Sequence, residues 1–584
     1  MSSLFYLNKF FLKYYKLLSI GIIFIAIANV FALYPAEFVR EAFDAVINSI
    51  KHTTENKSEI KEVLLFYSGL IILFAILKGI FMYFMRQTII VMSRKIEHDL
   101  KNEIYQQYQS LSLNFYKNNK TGDLMNRISE DVSRVRMYLG PALMYSINLI
   151  ILFSLVISKM ISISPHLTSY ILLPLPVLAI SVYFVSNSIN KKSEKVQAQL
   201  SNITTIVQET FSGIKIVKTF RNQNHSIKNF LNSCKEYTQR QLQLVKIEAL
   251  FFPLIVTMIG FSTILTIYIG GLESFKGNIS TGNIAEFIIY INMLAWPVAS
   301  IGWVTSLVQR AAASQERINN FLLIKSDIIN HQPKHTSIKG DINFNNVSFT
   351  YLDTNIEALR NINFSIKAGE TLGIFGKTGS GKSTIANLIC RLYDTNQGKI
   401  TIGGTSILDL NLNSLRTAIG YVPQDGYLFS GTIKENISFS SDKEEKNEIL
   451  KAARKANILE EIKKFKNGIN TIVGERGVQL SGGQRQRLAI ARAFYKNPDI
   501  YIFDDCLSAI DANKENKILH SLKKQKKGKT SIIISHRIAT VKDADQIIVL
   551  ENGTISESGT HAQLIKNQKL YYKMSQIQSN KNEK

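Results

Sequence analysis

Six apolar stretches of membrane-spanning length constrain this chain more than any other feature of it. They cover residues 17–34, 63–85, 141–161, 167–185, 251–269 and 284–307. Each is close to the roughly 17 to 25 residues a helix needs to cross a hydrocarbon layer, with few ionised side chains inside. A soluble core has no use for six such runs in series, so six crossing helices are predicted. A basic stretch with Lys9, Lys13 and Lys16 precedes the first run; the runs that follow make it an uncleaved anchor rather than a cleaved signal peptide.

Charge then orients the helices. Lys and Arg total 69 against 45 Asp and Glu, a net charge of +24. Such a balance fits nucleic acid, anionic lipid or merely a lysine-rich coding habit, until its placement is read. The connection after the second run carries Arg94, Lys95, Lys101, Lys117, Lys120, Arg127, Arg134 and Arg136. The connection after the fourth carries Lys191, Lys192, Lys195, Lys215, Lys218, Arg221 and Lys228, whereas those after the third and fifth hold only Lys159 and Lys276. The positive-inside rule therefore places the basic connections, both termini and the whole second half in the cytoplasm. Nucleic acid is not an expected partner; the lipid bilayer is.

The two basic connections, 86–138 and 187–246, are too long for turns and keep a polar, helical pattern, broken where Thr121, Gly122 and Asp123 form a turn. They predict helical arms reaching tens of Å from the bilayer, at about 1.5 Å per residue. The expected division is a six-helix domain over 1–310, a linker over 311–337, an α/β domain over 338–570 and a polar tail over 571–584. Cys234, Cys390 and Cys506 match no metal or disulfide spacing.

The second half carries the chemistry. A β-type run leads into Gly376, Lys377, Thr378, Gly379, Ser380, Gly381, Lys382, Ser383 and Thr384, followed by a helical pattern. This is the spacing of a phosphate-binding loop: backbone N–H groups wrap phosphate oxygens at a helix start, Lys382 adds a cation and Ser383 a hydroxyl for Mg2+. Downstream, the apolar run 500–503 ends in Asp504 and Asp505. A carboxylate at the end of a neighbouring buried strand is what an Mg2+–nucleotide site needs. Asp504 is expected to hold Mg2+ through water, and Asp505 stands where a general base for attacking water belongs. Between the two motifs, Ser481, Gly482, Gly483 and Gln484 open a further helix, with Ser481 as its cap and bare amides beside it. ATP and Mg2+ are the expected ligands.

With "LSGGQ" beside the phosphate loop, the second half resembles the nucleotide-binding domain of ATP-binding-cassette (ABC) transporters. With six helices ahead of it, nearly the whole chain resembles the exporter-type half-transporters. "FYKNNKTGDLMNRISEDVSRVRMYLG" and "ETFSGIKIVKTF" resemble that family's intracellular arms. The resemblance implies that Tyr351 stacks on adenine, that Gln424 senses Mg2+ and the arms, that 474–477 is a cross-contact loop, that 508–511 is an inter-domain turn and that His536 is a switch at the γ-phosphate. It implies a multidomain fold, an all-α transmembrane domain followed by an α/β P-loop ATPase, in a bacterial cytoplasmic membrane. It also implies a dimer in which one chain's phosphate loop and the other's residues 481–484 grip the same ATP. No peptidase-like region stands ahead of the first run, which disfavours an exporter that processes peptides.

One position departs from the family's pattern: members that hydrolyse ATP briskly carry glutamate where this chain has Asp505. That resembles one half of an asymmetric heterodimer, with a weakly active homodimer as the alternative. The expected activity is ATP-driven export or flipping of an amphipathic drug or lipid. An ATP-gated regulator or channel, and a DNA-handling ATPase, are the competing classes, and the six spans argue against the last. Lys78, inside the second apolar run, is expected either to line the substrate path, because an ammonium at that depth faces water or a partner, or to snorkel to a lipid headgroup.

Overall fold

The computed structural model describes residues 2–582 apart from 52–56, 331, 333, 336, 442–443, 475–479 and 525–527. It divides into two units, Met1–Gln109 with Thr121–Ile324, and Ser110–Lys120 with Lys325–Lys584.

Among the described residues, the first unit holds six stretches long and apolar enough to cross a membrane: Tyr15–Ile50, Ile60–Ser110, Thr121–Ile163, Pro165–Ser212, Gln223–Phe275 and Thr281–Leu322. The helix Lys57–Ser110 runs for 54 residues, about 80 Å at the usual rise, so the apolar span and the polar arm are one rod. Starts are set locally. Ser164 caps the helix Pro165–Leu172 by accepting from Leu167 N, with Pro165 at the position that needs no N–H. Ser280 and Asn283 cap each other at the start of Thr281–Leu322.

That last helix corrects the expected linker, since it runs to Leu322 rather than stopping at 310. Ala311, Ser314, Gln315, Ile318 and Phe321 are buried, a helical stripe that gives the polar stretch an inner face to pack. The unit's core gathers Val156, Met160, Ile171, Leu178, Phe287, Tyr290 and Leu294, all buried. Beside it the Glu286 carboxylate is fully buried, accepting from Tyr290 Oη (2.8 Å), Asn283 Nδ2 (3.2 Å) and Arg40 (3.4 Å). Asp44 Oδ1 accepts from Gly282 N at 2.8 Å. The helices Tyr15–Lys51 and Thr281–Leu322 are thus joined by an ionic and hydrogen-bonded cluster.

The second unit is α/β. Its six-stranded sheet runs, in spatial order, Thr554–Gly559, Gln546–Glu551, Thr371–Gly376, Thr530–Ser535, Ile500–Asp504 and Ile419–Val422. Only the Thr554–Gly559 edge is antiparallel; the other pairings are parallel. Thr371–Gly376, Ile500–Asp504 and Thr530–Ser535 are buried at every residue, as a parallel sheet covered on both faces requires. The unit also holds a four-stranded antiparallel sheet, Ile356–Ile366, Ile342–Tyr351, Gln397–Ile402 and Thr405–Ser406, and a two-stranded one, Gly431–Thr432 with Ile472–Val473.

Residues 571–582, expected as a polar tail, lie in the helix Leu570–Asn582. Tyr571 anchors it: the side chain is fully buried, its ring sits 5.5 Å from that of Phe375, and its hydroxyl meets His561 Nδ1 at 2.8 Å.

Candidate active site

Parallel pairing brings the functional residues together. Thr530–Ser535 lies between Thr371–Gly376 and Ile500–Asp504, with Ser535 opposite Phe375 and Ile534 opposite Asp504. The phosphate-type loop, the two aspartates and His536 therefore leave the sheet at one edge, where ligands collect in open α/β folds.

Gly379 and Gly381 have φ of +83° and +97°, a region that favours glycine, and they turn the loop into the helix Lys382–Ile389. Lys377, Thr378 and Gly379 are exposed at the turn, while Lys382 is buried. Its Nζ donates to the carbonyls of Gly376 (2.8 Å) and Lys377 (2.6 Å). Burial pushes this ammonium below its usual range, opposed by Asp505 and Asp504. The Ser380 hydroxyl is buried and has no hydrogen-bond partner among the described residues, a donor that a phosphate oxygen in the loop would satisfy.

Ser383 Oγ donates to Asp504 Oδ1 at 2.9 Å, and Tyr421 Oη donates to Asp504 Oδ2 at 3.3 Å. Asp504 is buried and its carboxyl is raised, first by desolvation, against the lowering effect of Ser383 and Tyr421. Two hard oxygens side by side fit Mg2+, which takes one or two protein ligands and keeps its waters; bound there, the cation would neutralise phosphate charge.

Asp505 has left-handed backbone, φ 45°, fixed by its N–H bonding to Ile534 O at 2.9 Å. Both its carboxylate oxygens meet His536 Nδ1, at 3.0 and 2.9 Å. With the hydrogen on Nδ1, the histidine donates to Asp505 and its Nε2 is left for a ligand. Gln424 lies just beyond Ile419–Val422 with its side chain exposed. It makes no hydrogen bond to Ser383 or Asp504 among the described residues, and only its carbonyl is engaged, accepting from Gln486 Nε2 at 3.5 Å.

At the second helix start, Ser481 Oγ accepts from Gln484 N (3.3 Å) while Gln484 Oε1 accepts from Ser481 N (2.9 Å), so both residues are committed to a capping box on Gly482–Lys496. Gly482 is exposed. Gln484 Nε2 also reaches Glu461 at 3.1 Å, and the same carboxylate takes Arg487 (2.8 Å) and Lys514 (2.9 Å). Ser481→Ala is expected to cost about 1 kcal/mol, visible as a lower thermal midpoint of the purified protein; an unchanged midpoint would show that the cap is dispensable.

Tyr351 hydrogen-bonds Thr384 through its hydroxyl at 3.1 Å, fixing the ring beside the loop helix. Three neighbours escaped the sequence reading. Tyr393 packs edge-on against Tyr351 with centroids 5.5 Å apart, and Lys117 Nζ lies 4.4 Å from the Tyr351 centroid. Tyr421, on Asp504, is the third; its place in "YVPQD" was the only available signal. Glu475, Arg476 and Gly477 of the expected cross-contact loop lie outside the described residues, whereas Ser508 Oγ bonds Asp505 O at 3.0 Å. In the first unit, Lys78 lines a cavity of about 340 Å³.

The ABC transporter transmembrane region family matches residues 18–298, and the ABC transporter family matches 359–508. The chain is 33% identical over 567 residues to the "Probable multidrug resistance ABC transporter ATP-binding/permease protein" of Bacillus subtilis, covering 97% of this chain and 96% of that one. It is 34% identical to the "ATP-dependent lipid A-core flippase" of Syntrophus aciditrophicus, over 87% and 84% of the two chains. Among solved structures, a bacterial Atm1-family ABC exporter with ATP bound shares the fold, with a TM-score of 0.78 at 23% identity, covering 96% of this chain and 98% of that one.

Proposed function

The chain belongs to the ABC transporter family, a multi-pass membrane ATPase whose hydrolysis of ATP is coupled to export, and on that premise we propose that it is one half of a dimeric exporter, paired with a second, glutamate-bearing half. The cargo is an amphipathic drug or lipid. The chain sits in a bacterial cytoplasmic membrane with its termini and ATPase unit in the cytoplasm, a placement supported by the basic connections and the bacterial relatives. What supports the reading is that one ATPase unit carries both the phosphate-type loop 376–384 and, apart from it, the capped helix start at 481–484. Among the described residues no hydrogen bond links 481–484 to the loop 376–384. Each edge therefore awaits a counterpart, and MgATP held between two units would join them and release them on hydrolysis.

In this reading Lys382 and the loop amides hold the phosphates, Ser383 and Asp504 hold Mg2+, and Asp505 with His536 faces the attacking water. Gln424 would have to swing in to approach the metal. Adenine on Tyr351 takes the ring face beside Lys117. An exposed cation–π contact contributes about 0.5 to 1 kcal/mol, so Lys117→Ala should tighten ATP binding roughly two- to fivefold; weakened binding would show that Lys117 helps hold the nucleotide.

The test is reconstitution of the chain, alone and with its glutamate-bearing partner, in sealed vesicles with the ATPase units outward. ATP-dependent accumulation of a fluorescent amphipath by the pair supports the export reading. ATP-dependent conductance without accumulation would identify a gated channel or regulator.

A further inference from the structure

The first unit's cavity has a charge that its walls do not balance. Its lining includes Lys78, Arg86, Asn29, Asn148, Tyr145 and Trp296 and no aspartate or glutamate. Among the described residues neither Lys78 nor Arg86 has a hydrogen bond, ion pair or ring partner, although ion pairs are common elsewhere in the unit. Lys78 lies inside an apolar run, where an unpaired ammonium is costly unless water or an anion meets it. The two cations are eight residues apart on one helix, about 12 Å of rise, a separation their long side chains can close around one headgroup. Asn29 Nδ2 is committed to Asn148 Oδ1 (2.9 Å) and Ile25 O (3.0 Å). The Asn148 amide N–H groups have no protein acceptor among the described residues and add neutral donors to the same wall.

A second cavity, of about 510 Å³, shares Tyr145 and Trp296 with the first and adds Phe251 and Trp303. Its ionised residues are one of each sign, Glu248 and Arg310, so the cationic excess is concentrated at Lys78 and Arg86. An apolar body beside the tryptophans with an anionic head at the cations would fill both spaces.

We propose that this pair of cavities binds an amphipath with an anionic headgroup, held by Lys78 and Arg86, with its apolar part against Trp296 and Trp303. The assignment rests on the export reading for its meaning as a substrate site, but the binding is measured separately. The chain has two tryptophans, and both line the cavities, so quenching of intrinsic fluorescence reports on occupancy directly. The full chain in phosphatidylcholine nanodiscs is titrated with ω-bromoundecyl phosphate, ω-bromoundecanol and ω-bromoundecyltrimethylammonium, which share a quenching tail and differ in charge.

The phosphate should bind about tenfold tighter than either companion, the size of one charge-assisted contact. Lys78→Met and Arg86→Met should each weaken the phosphate about fivefold or more while leaving the alcohol unchanged, and Lys78→Arg should retain the preference. Equal affinity for the three probes, or a phosphate affinity that neither Met variant moves, overturns the proposal. Replacing phosphatidylcholine with phosphatidylglycerol separates the sources: competition with the phosphate probe assigns the site to a bilayer lipid headgroup, and no competition assigns it to a free amphiphile. Charge-selective binding without ATP-driven movement in vesicles would remove the export reading and keep the site. ATP-driven movement without charge selectivity would do the reverse.

Discussion

Lys382→Ala should lower the affinity of the isolated chain for ATP by about 100-fold, roughly the 3 kcal/mol that a hydrogen bond to a charged group can be worth when nothing replaces it. The Lys382 ammonium is buried and held by two loop carbonyls 2.8 and 2.6 Å away. It is thus positioned inside the phosphate loop before nucleotide arrives, whereas Lys377 is exposed at the turn. Burial already disfavours the charge on Lys382, and phosphate would repair that. The affinity is best read by equilibrium binding to the chain without a partner, so that a second site does not contribute, alongside a thermal midpoint showing that the protein still folds. Native affinity in a folded variant would refute the assignment.

The second large effect is expected at Asp505. An aspartate is one methylene shorter than glutamate, drawing its carboxylate back by roughly 1 to 1.5 Å, and a misplacement of that size can reduce catalysis about 100-fold. The structure adds a reason: both oxygens are within 3.0 Å of His536 Nδ1, so the shorter side chain, already engaged with the histidine, stops short of the water that it faces. Asp505→Glu should therefore raise single-site ATP hydrolysis by tens of fold, and the wild-type chain alone should turn over slowly until a glutamate-bearing partner is added. Steady-state phosphate release measures both. Brisk hydrolysis by the isolated chain, abolished in Asp505→Asn, would establish instead that this aspartate is a competent base and that the asymmetric pairing is unnecessary.

Features confined to one contiguous stretch were legible in advance. The loop 376–384, the capped start at Ser481 and the strand ending at Asp504 each carry their signal within a few residues. The six spans were equally plain, since length and apolarity suffice. What escaped was long-range or depended on one anchoring side chain. Nothing in the spacing of Lys117 points to Tyr351, 234 positions later, and nothing near Glu461 announces that it joins Gln484, Arg487 and Lys514. Residues 311–322 and 571–582, expected from their polar composition to be linker and tail, are helical. In the first a stripe of small and apolar residues faces inward; in the second a single buried tyrosine holds the helix.

The cluster around Glu286 also sets where the membrane helices can separate. Pulling Arg40 away from a fully enclosed carboxylate would strand a charge, a cost of about 3 to 5 kcal/mol. At the other end of Thr281–Leu322 the links, made to the N-terminal turn Ser2–Leu7, are neutral: Ser3 Oγ donates to Ala312 O at 3.0 Å and Asn319 Nδ2 to Ser3 O at 2.9 Å. Each of those is worth only about 1 kcal/mol net and is readily replaced by water. The ionic end of Thr281–Leu322 thus holds while its neutral end yields, so thermal agitation or applied force peels the N-terminal turn away well before it parts the helix pair at Glu286.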